Sequence, residues 1–315
     1  MTDTTDVVTT PGSDTGPGVR RFPSLRTAPK WVRNLARYAG IVPFVAYIAI
    51  FLIVPLIAIV VGSFQNPQTN AFTWSNVNTA VHGSYLHGFE QALILSLIAS
   101  VLPGVFGLLI AYAIYTARGR GAASLRRVVI TASGVFANFG GVPLAFLFIA
   151  SLGSSALVTG WLSDIGLNIY DHGFTLYTLS GVVVVYMYFQ IPLMVLVILP
   201  ALEGLRPAWR EAAENLGARP WQYWRHVGGP VLLPSFMSCL MVLFGSALAA
   251  YATAEALTTG TIPLTSIQIG TFLNGNVLAG QENVGKALSL GMVVIIAILM
   301  VCYILFQRRA AKWLR

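Results

Sequence analysis

Long apolar stretches alternate with short polar stretches along most of the chain. A helix of roughly 20 residues crosses a bilayer core about 30 Å thick. Six stretches are long enough, and each is rich in Val, Ile, Leu, Ala and Phe with no charged side chain deep inside it: 41–64, 92–116, 127–152, 179–202, 231–254 and 287–307. The pattern predicts an all-α membrane protein with six transmembrane helices.

Composition agrees with this interpretation. The chain is 56% hydrophobic and 10% charged, with a mean hydropathy of +0.73, whereas soluble domains average about 25% charged residues. The first apolar stretch is too long for a cleaved signal peptide, follows a polar N-terminal stretch and has no small-residue cleavage pattern after it. We therefore expect a multi-pass protein of the cell inner membrane.

Basic residues indicate the orientation of the spans. Eighteen of the 19 Lys and Arg residues lie in the N-terminal stretch, in the loops after the second and fourth apolar stretches, and in the C-terminal tail. Cytoplasmic loops carry such an excess, so we place both termini in the cytoplasm. The net charge of +8 then follows from topology and contact with membrane lipid, and no nucleic-acid partner is expected.

Three regions follow from these patterns. Residues 1–38 are predicted to be a disordered, basic cytoplasmic segment, since their first part is rich in Thr, Gly, Pro and Asp. Residues 39–90 hold the first transmembrane helix and an external loop. Residues 91–315 form the core domain, with a cytoplasmic loop at 203–230.

The loop 203–230 has the features of two short helices separated by a bend. Pro207 suits the first turn of one helix, and Pro220 suits the first turn of the other. Gly217 is placed to adopt the left-handed conformation that ends the first helix. Apolar residues recur at helical spacing and predict one apolar face: Leu205, Trp209, Ala212 and Leu216. An alternative is an amphipathic loop at the membrane surface, with Trp221 and Trp224 among the headgroups.

The spacing of residues in this loop resembles that of a known family. Glu211-Ala212-Ala213, three residues, Gly217, nine residues and then Val227-x-Gly229-Pro230 is similar to the EAA loop of binding-protein-dependent ABC importer permeases of type I. In that pattern Ile and Leu stand where this chain has Val227 and Gly229. We expect Gly229 to loosen the entry to the fifth span.

The resemblance implies a coupling helix that docks on a cytoplasmic ATPase. It implies coupling residues at Glu211, Ala212, Ala213, Leu216, Gly217 and Pro230. The implied partners are two cytoplasmic ATPase subunits, a second permease subunit and an external solute-binding protein. ATP and Mg would be bound by the ATPase, so no cofactor and no enzymatic activity are expected on this chain. Residues 136–143 and 250–253 resemble polyamine-type permeases most, and related members take up iron, phosphonate or sulfate.

Polar residues within or beside the apolar stretches are candidates for a solute path. They are Asn138, Tyr188, Gln190 and Glu255. Each can equally make a hydrogen bond between helices. Small residues at four-residue spacing, including Gly245, Ala249 and Thr253, suggest close packing of the fifth span within the chain, or a helix at a subunit interface or along a pathway.

Other motifs predict no chemistry. Residues 280–287 nearly match a phosphate-binding loop, but Ala287 stands where Ser or Thr must bind magnesium. The four His residues are scattered singly and offer no metal site, and Cys239 and Cys302 lie in apolar runs. A stand-alone secondary transporter or channel is the alternative function, and a membrane enzyme is a further one. The absence of ionisable residues deep inside the spans disfavours the first, and the absence of a catalytic cluster disfavours the second.

Overall fold

The computed structural model describes residues 41–119, 121–167, 169–171, 173–275 and 281–313. Within these ranges the chain is helical, and its pairing of extended backbone is limited to an isolated bridge between Gln65 and Phe72. The N-terminal segment predicted to be disordered lies outside the described residues. The chain divides into two compact units, Met1–Ile57 and Ala58–Arg315.

We number the helices in chain order. They are α1 Val42–Ser63, α2 Ser75–Ala80, α3 Gly83–Thr116, α4 Ala122–Asn138, α5 Val142–Leu152, α6 Leu157–Asp164, α7 Leu179–Glu203, α8 Pro207–Asn215, α9 Pro220–Ala249, α10 Tyr251–Thr258, α11 Thr265–Leu273 and α12 Val284–Trp313. α1 and α9 each contain a wider, π-type turn, at Ala49–Ile53 and Trp224–Gly228.

In the part of the chain that the structure describes, six segments are long and apolar enough to cross a membrane, as the sequence predicts. They are Val42–Ser63, Gly83–Thr116, Val142–Asp164, Leu179–Glu203, Pro220–Ala249 and Val284–Leu305. The first and fourth agree with the predicted bounds to within a residue at each end. The second begins nine residues before the predicted start, because the polar stretch from Gly83 to Gln91 is also helical.

The third predicted span, 127–152, is wrong as a single helix. The chain forms α4 up to Asn138 and starts again with α5 at Val142. Gly141 has a φ of +76°, which a side chain would strain, and Pro143 lies in the first turn of α5, where it needs no N–H partner. The segment long enough to span is Val142–Asp164, which includes the turn between α5 and α6.

The fifth predicted span, 231–254, also needs correction. α9 runs without a break from Pro220, so the predicted second short helix is the first part of this span. The wide turn carries the chain to Pro230, and the N–H of Gly229 donates to the carbonyl oxygen of Trp224. Gly229 therefore lies within a hydrogen-bonded helix rather than at a loosened entry. At the other end α9 stops at Ala249, since Ala250 has a non-helical ψ of 84°.

α7 holds the core of the second unit. It packs against α3, α4 and α9, and its buried side chains include Tyr186, Met194 and Ile198. One buried cluster joins α7 to α3, α5 and the helices after the break at Ala250, and another joins it to α3 and α9 near the loop that carries α8. The loop that carries α8 lies beside the second cluster, and the breaks at Gly141 and Ala250 lie beside the first.

Candidate functional site

The first candidate site is the short helix α8 and the turn that follows it. Pro207 lies in the first turn of α8, and Gly217 has a φ of +74°. The N–H of Gly217 donates to the carbonyl of Glu214 at 2.9 Å, and the N–H of Ala218 donates to the carbonyl of Ala213 at 2.9 Å. These bonds satisfy carbonyls at the end of α8. The predicted helix and its glycine bend are both confirmed.

The predicted apolar face of this loop is divided between interior and surface. Leu205 is buried against the core at 4% exposure, whereas Leu216 is 88% exposed. Glu211 and Ala212 are exposed, and Ala213 is half-buried. The expected single face is therefore divided: Leu205 packs the loop against the membrane domain, and the apolar side chain of Leu216 is exposed.

Charges on α8 are arranged so that one carboxylate is paired and another is not. Arg210 Nε donates to Glu214 Oε1 at 2.9 Å, and this contact raises the pKa of the Arg210 guanidinium. Among the described residues, no cation lies within 4 Å of the Glu211 carboxylate. Glu211 is thus free to pair with a group on another molecule.

The two tryptophans of the alternative, membrane-surface interpretation differ in environment. Trp221 is 72% exposed, but Trp224 packs its ring edge-on against Tyr112, with the centroids 5.3 Å apart. Pro230 follows the wide turn and belongs to the helical part of α9. Only Trp221 of the pair is therefore well exposed for insertion among headgroups.

The second candidate site lies where two interrupted helices meet. The N–H of Gly141, between α4 and α5, donates to Thr253 Oγ1 on α10 at 2.8 Å, and the Thr253 hydroxyl donates to the Gly141 carbonyl at 3.3 Å. Tyr186 donates its phenolic O–H to the carbonyl of Ala250 at 2.6 Å. Backbone groups freed at both breaks thus find side-chain partners, as an apolar environment requires.

A cavity of about 590 Å³ opens at these breaks. Its polar side chains are Asn138, Ser246, Tyr251 and Thr253, and none of the described Asp, Glu, Lys or Arg residues lines it. Asn138 donates its amide to the carbonyl of Gly134 at 2.8 Å and is exposed. The cavity can therefore offer hydroxyl, amide and backbone groups to a small solute.

The other three candidate path residues lie outside the cavity lining. Tyr188 packs against the rings of Phe136, Phe139 and Phe148. Gln190 is fully buried, and its amide donates to the carbonyl of Leu243 at 2.8 Å. Glu255, on α10, has one buried carboxylate oxygen without a partner among the described residues.

Sequence reasoning missed the part played by Thr253 and Tyr186 in closing the two breaks. The signal for one break was present, because Gly140-Gly141 followed by Pro143 is a strong interruption of a helix. No comparable signal marks the break at Ala250, which lies in a run of small residues that favours a helix.

The region resembling a phosphate-binding loop is engaged in packing. Gly280 lies outside the described residues, but Asn283 is buried and donates its amide to the carbonyl of Gln65 at 2.8 Å. A methyl group on Gly285 would meet the Phe272 side chain at 2.6 Å. In the part of the chain that the structure describes, no group of three His, Cys, Asp or Glu side chains could hold a metal ion.

Comparison with known sequences identifies the family. The family described as "Binding-protein-dependent transport system inner membrane component" matches residues 103–315. The sulfate transport system permease protein CysT of Escherichia coli is 27% identical over 199 residues, which cover 63% of this chain and 66% of the relative. A putative ferric transport system permease protein FbpB 1 of Haemophilus influenzae is 26% identical over 278 residues, 86% of this chain and 42% of that protein. The thiamine transport system permease protein ThiP of Haemophilus influenzae is 30% identical over 51% of this chain and 29% of its own length.

Solved structures agree with this assignment at the level of the fold. A chain of a bacterial ABC transporter involved in the import of the acidic polysaccharide alginate has a TM-score of 0.72 and 20% identity, covering 89% of this chain and 99% of that chain. A chain of the MetNI methionine ABC transporter has a TM-score of 0.54 and 17% identity, covering 73% and 97%. The chain therefore belongs to the family of inner membrane components of binding-protein-dependent transport systems, and it has the fold of ABC importer permeases.

Proposed function

We propose that the chain is a permease subunit of an ATP-driven importer and that α8 docks on a cytoplasmic ATPase. The exposed Leu216 at the end of α8 and the unpaired Glu211 within it carry this proposal. An apolar side chain that is 88% exposed on a short helix between two spans is typical of a contact surface, and small residues at Ala212 and Ala213 let a partner approach closely. The orientation is the one predicted from the basic loops, with both termini in the cytoplasm.

The full assembly proposed is two permease subunits, two ATPase subunits and an external solute-binding protein. A structural neighbour of this chain, the bacterial alginate ABC transporter, was crystallised in complex with an alginate pentasaccharide-bound periplasmic protein, which supports a binding protein as partner. ATP and Mg would belong to the ATPase. The proposed role of this chain is to open and close a path in response to the ATPase.

We place the solute path of this subunit at the two helix breaks. Irregular backbone at membrane depth is tolerated where it lines a cavity, and transporters use such breaks to bind solutes. Asn138, Ser246 and Thr253 supply polar groups there. Tyr186 holds α7 on the chain at the second break, so we assign it a positioning role, whereas Gln190 makes a hydrogen bond between α7 and α9.

Sulfate is the first solute to test. The polyamine expectation has no support among the relatives described above, which are named for sulfate, thiamine and ferric iron. α5 and α10 both begin at the breaks, and the partial positive charge of helix N-termini favours an anion. Uptake of labelled sulfate, thiamine, ferric iron and putrescine by cells expressing the complete transporter would rank the four. Putrescine as the transported solute would contradict this ranking.

The docking proposal is tested by a matched pair of substitutions. Leu216→Asp places a charge in the proposed contact and should abolish co-purification of the ATPase. Leu273→Asp changes a side chain that is similarly exposed, at 83%, but lies on the predicted external face, and it should leave the ATPase bound. Equal retention of the ATPase by both variants would contradict docking through α8.

A further inference from the structure

A second cavity lies between the end of α3, the start of α8 and the first part of α9. Its volume is about 650 Å³. The charged residues that line it are Arg118, Arg206, Arg210, Glu211 and Glu214, and the aromatic residues are Tyr112, Tyr115, Tyr223 and Trp224. Glu211 is also the carboxylate proposed to meet the ATPase, but the arginines and tyrosines of this cavity have no part in the proposed transport cycle.

The guanidinium groups in this cavity are not balanced by the carboxylates. Arg210 is paired with Glu214. Among the described residues, neither Arg118 nor Arg206 lies within 4 Å of a carboxylate. Two arginines without a carboxylate partner therefore line the cavity together with one unpaired carboxylate, that of Glu211. Arg206 also lies over the Trp209 ring, 5.9 Å from its centroid, and this contact leaves its charge in place. The cavity keeps an excess of positive charge.

Neutral hydrogen-bond donors also line this cavity. Three phenols line the same cavity, and each can donate an O–H: Tyr112, Tyr115 and Tyr223. α8 begins at Pro207, also in the lining, so its positive end is directed to this region. Arginine forks and hydroxyl donors around a cavity form a site for a tetrahedral oxyanion, because guanidinium groups bind such oxygens in pairs.

The position of the arginines fits the boundary of the bilayer. Arg118 lies two residues after the span Gly83–Thr116, and Arg206 lies three residues after the span Leu179–Glu203. Basic pockets at the cytoplasmic ends of spans are placed to bind the headgroups of anionic lipids. Tyr112 and Trp224, which pack edge-on, belong to the same lining.

We propose that this cavity binds a tetrahedral oxyanion, supplied either as the headgroup phosphate of an anionic phospholipid or as a free phosphate or sulfate ion. The bound anion bridges Arg118 at the end of α3 and Arg206 at the start of α8. It thereby holds α8 in a fixed position on the membrane domain. An effect of this anion on ATP hydrolysis rests on the proposed docking of α8, but the binding itself does not.

The test uses the full chain purified together with its ATPase in detergent. The complex is first exchanged into an equimolar mixture of phosphatidylglycerol and phosphatidylcholine, and native mass spectrometry then measures which lipid it retains. Dialysis against labelled inorganic phosphate measures binding of the free ion. Arg118→Gln with Arg206→Gln should lower retention of phosphatidylglycerol, of inorganic phosphate, or of both by about tenfold. Loss in the lipid measurement alone assigns the site to a headgroup, and loss with inorganic phosphate alone assigns it to a free ion.

Controls separate a built site from general basic charge. Arg127→Gln with Arg225→Gln removes two exposed arginines that do not line this cavity, and it should leave both measurements unchanged. Tyr112→Phe with Tyr115→Phe keeps every charge and should weaken binding by about threefold, which tests the site even if the arginine variant does not assemble. Equal binding by the wild type and both cavity variants, or equal loss in the arginine control, would overturn the proposal. Loss of ATPase attachment in Leu216→Asp, a residue outside the cavity lining, with oxyanion binding intact would concern the proposed function alone.

Discussion

The backbone N–H of Gly141 donates a 2.8 Å hydrogen bond to Thr253 Oγ1, and this bond joins two helices that are each interrupted. One interruption separates α4 from α5, and the other separates α9 from α10. Thr253 is 4% exposed, so water has little access to replace the bond. The Thr253 hydroxyl therefore links the two breaks directly, in addition to the packing of α5 against α10.

Replacing Thr253 with Val should loosen the two breaks. The substitution keeps the shape of the side chain but leaves the Gly141 N–H and carbonyl without their hydroxyl partner, at a cost of about 1–3 kcal/mol. We expect a lower melting temperature of the purified chain in detergent and reduced uptake. Thr253→Ser retains the hydroxyl and should restore most of both. A melting temperature for Thr253→Val equal to that of the wild type would show that this hydrogen bond does not contribute to stability.

Gln190 should tolerate an apolar replacement of similar shape. Its amide donates to the carbonyl of Leu243, but its Oε1 is buried with no partner among the described residues. Gln190→Met loses the bond and also removes the unpaired oxygen, so the net change in the free energy of unfolding should be under about 1.5 kcal/mol. Thermal unfolding and uptake should both remain close to normal. Loss of uptake with normal stability would show instead that Gln190 contacts the solute.

Accessibility labelling tests the predicted orientation. Cysteines introduced at Asn78 and Asp171 should react with a membrane-impermeant thiol reagent added to intact cells or spheroplasts. A cysteine at Ala218 should react only after the membrane is opened. The expectation follows from the concentration of Lys and Arg in the loops and tails assigned to the cytoplasm. External labelling at Ala218 would show that the true orientation is the reverse of the predicted one, with α8 outside the cytoplasm and out of reach of the ATPase.

Lys286 should be dispensable for ATP hydrolysis by the assembled transporter. It lies in the region that resembles a phosphate-binding loop, but it belongs to α12, and its aliphatic stem packs over Gly62. Lys286→Ala should leave the ATPase rate of the complex near that of the wild type. A correctly assembled Lys286→Ala complex without ATPase activity would show that residues 280–287 take part in nucleotide chemistry.

The sequence predicted well those features that depend on composition and local backbone preference. The fourth span from Leu179, the helix beginning at Pro207 and the left-handed Gly217 all follow from hydropathy, proline and glycine. The break at Ala250 could not be predicted in this way, because its freed carbonyl is bonded by Tyr186, which reaches it from a distant helix. Likewise, the burial of Leu205 and the exposure of Leu216 depend on which side of the loop meets the core, and periodicity alone does not decide this.

Gly217 offers a test of the bend that is independent of charge. Its φ of +74° is unfavourable for any residue with a side chain, although no atom lies within 4 Å of the position that a Cβ would occupy. Gly217→Val should therefore cost about 1–2 kcal/mol through the backbone alone and should displace α8. Gly160→Val, at a helical glycine with equally open surroundings, is the control. We expect membrane insertion of both variants and loss of uptake only with Gly217→Val.

The most direct test of the central claim is co-purification of the ATPase with a Glu211→Lys variant. Glu211 is exposed and has no described cation within 4 Å, so its replacement should not disturb the fold of this chain. In the proposed contact, the introduced Lys would repel the cation of the ATPase that Glu211 meets, and that cation would be left without a partner. Glu90→Lys, an exposed acid at the other end of the second span, serves as the matched control. We predict that Glu90→Lys retains the ATPase and that Glu211→Lys loses it, and full retention by Glu211→Lys would contradict docking through α8.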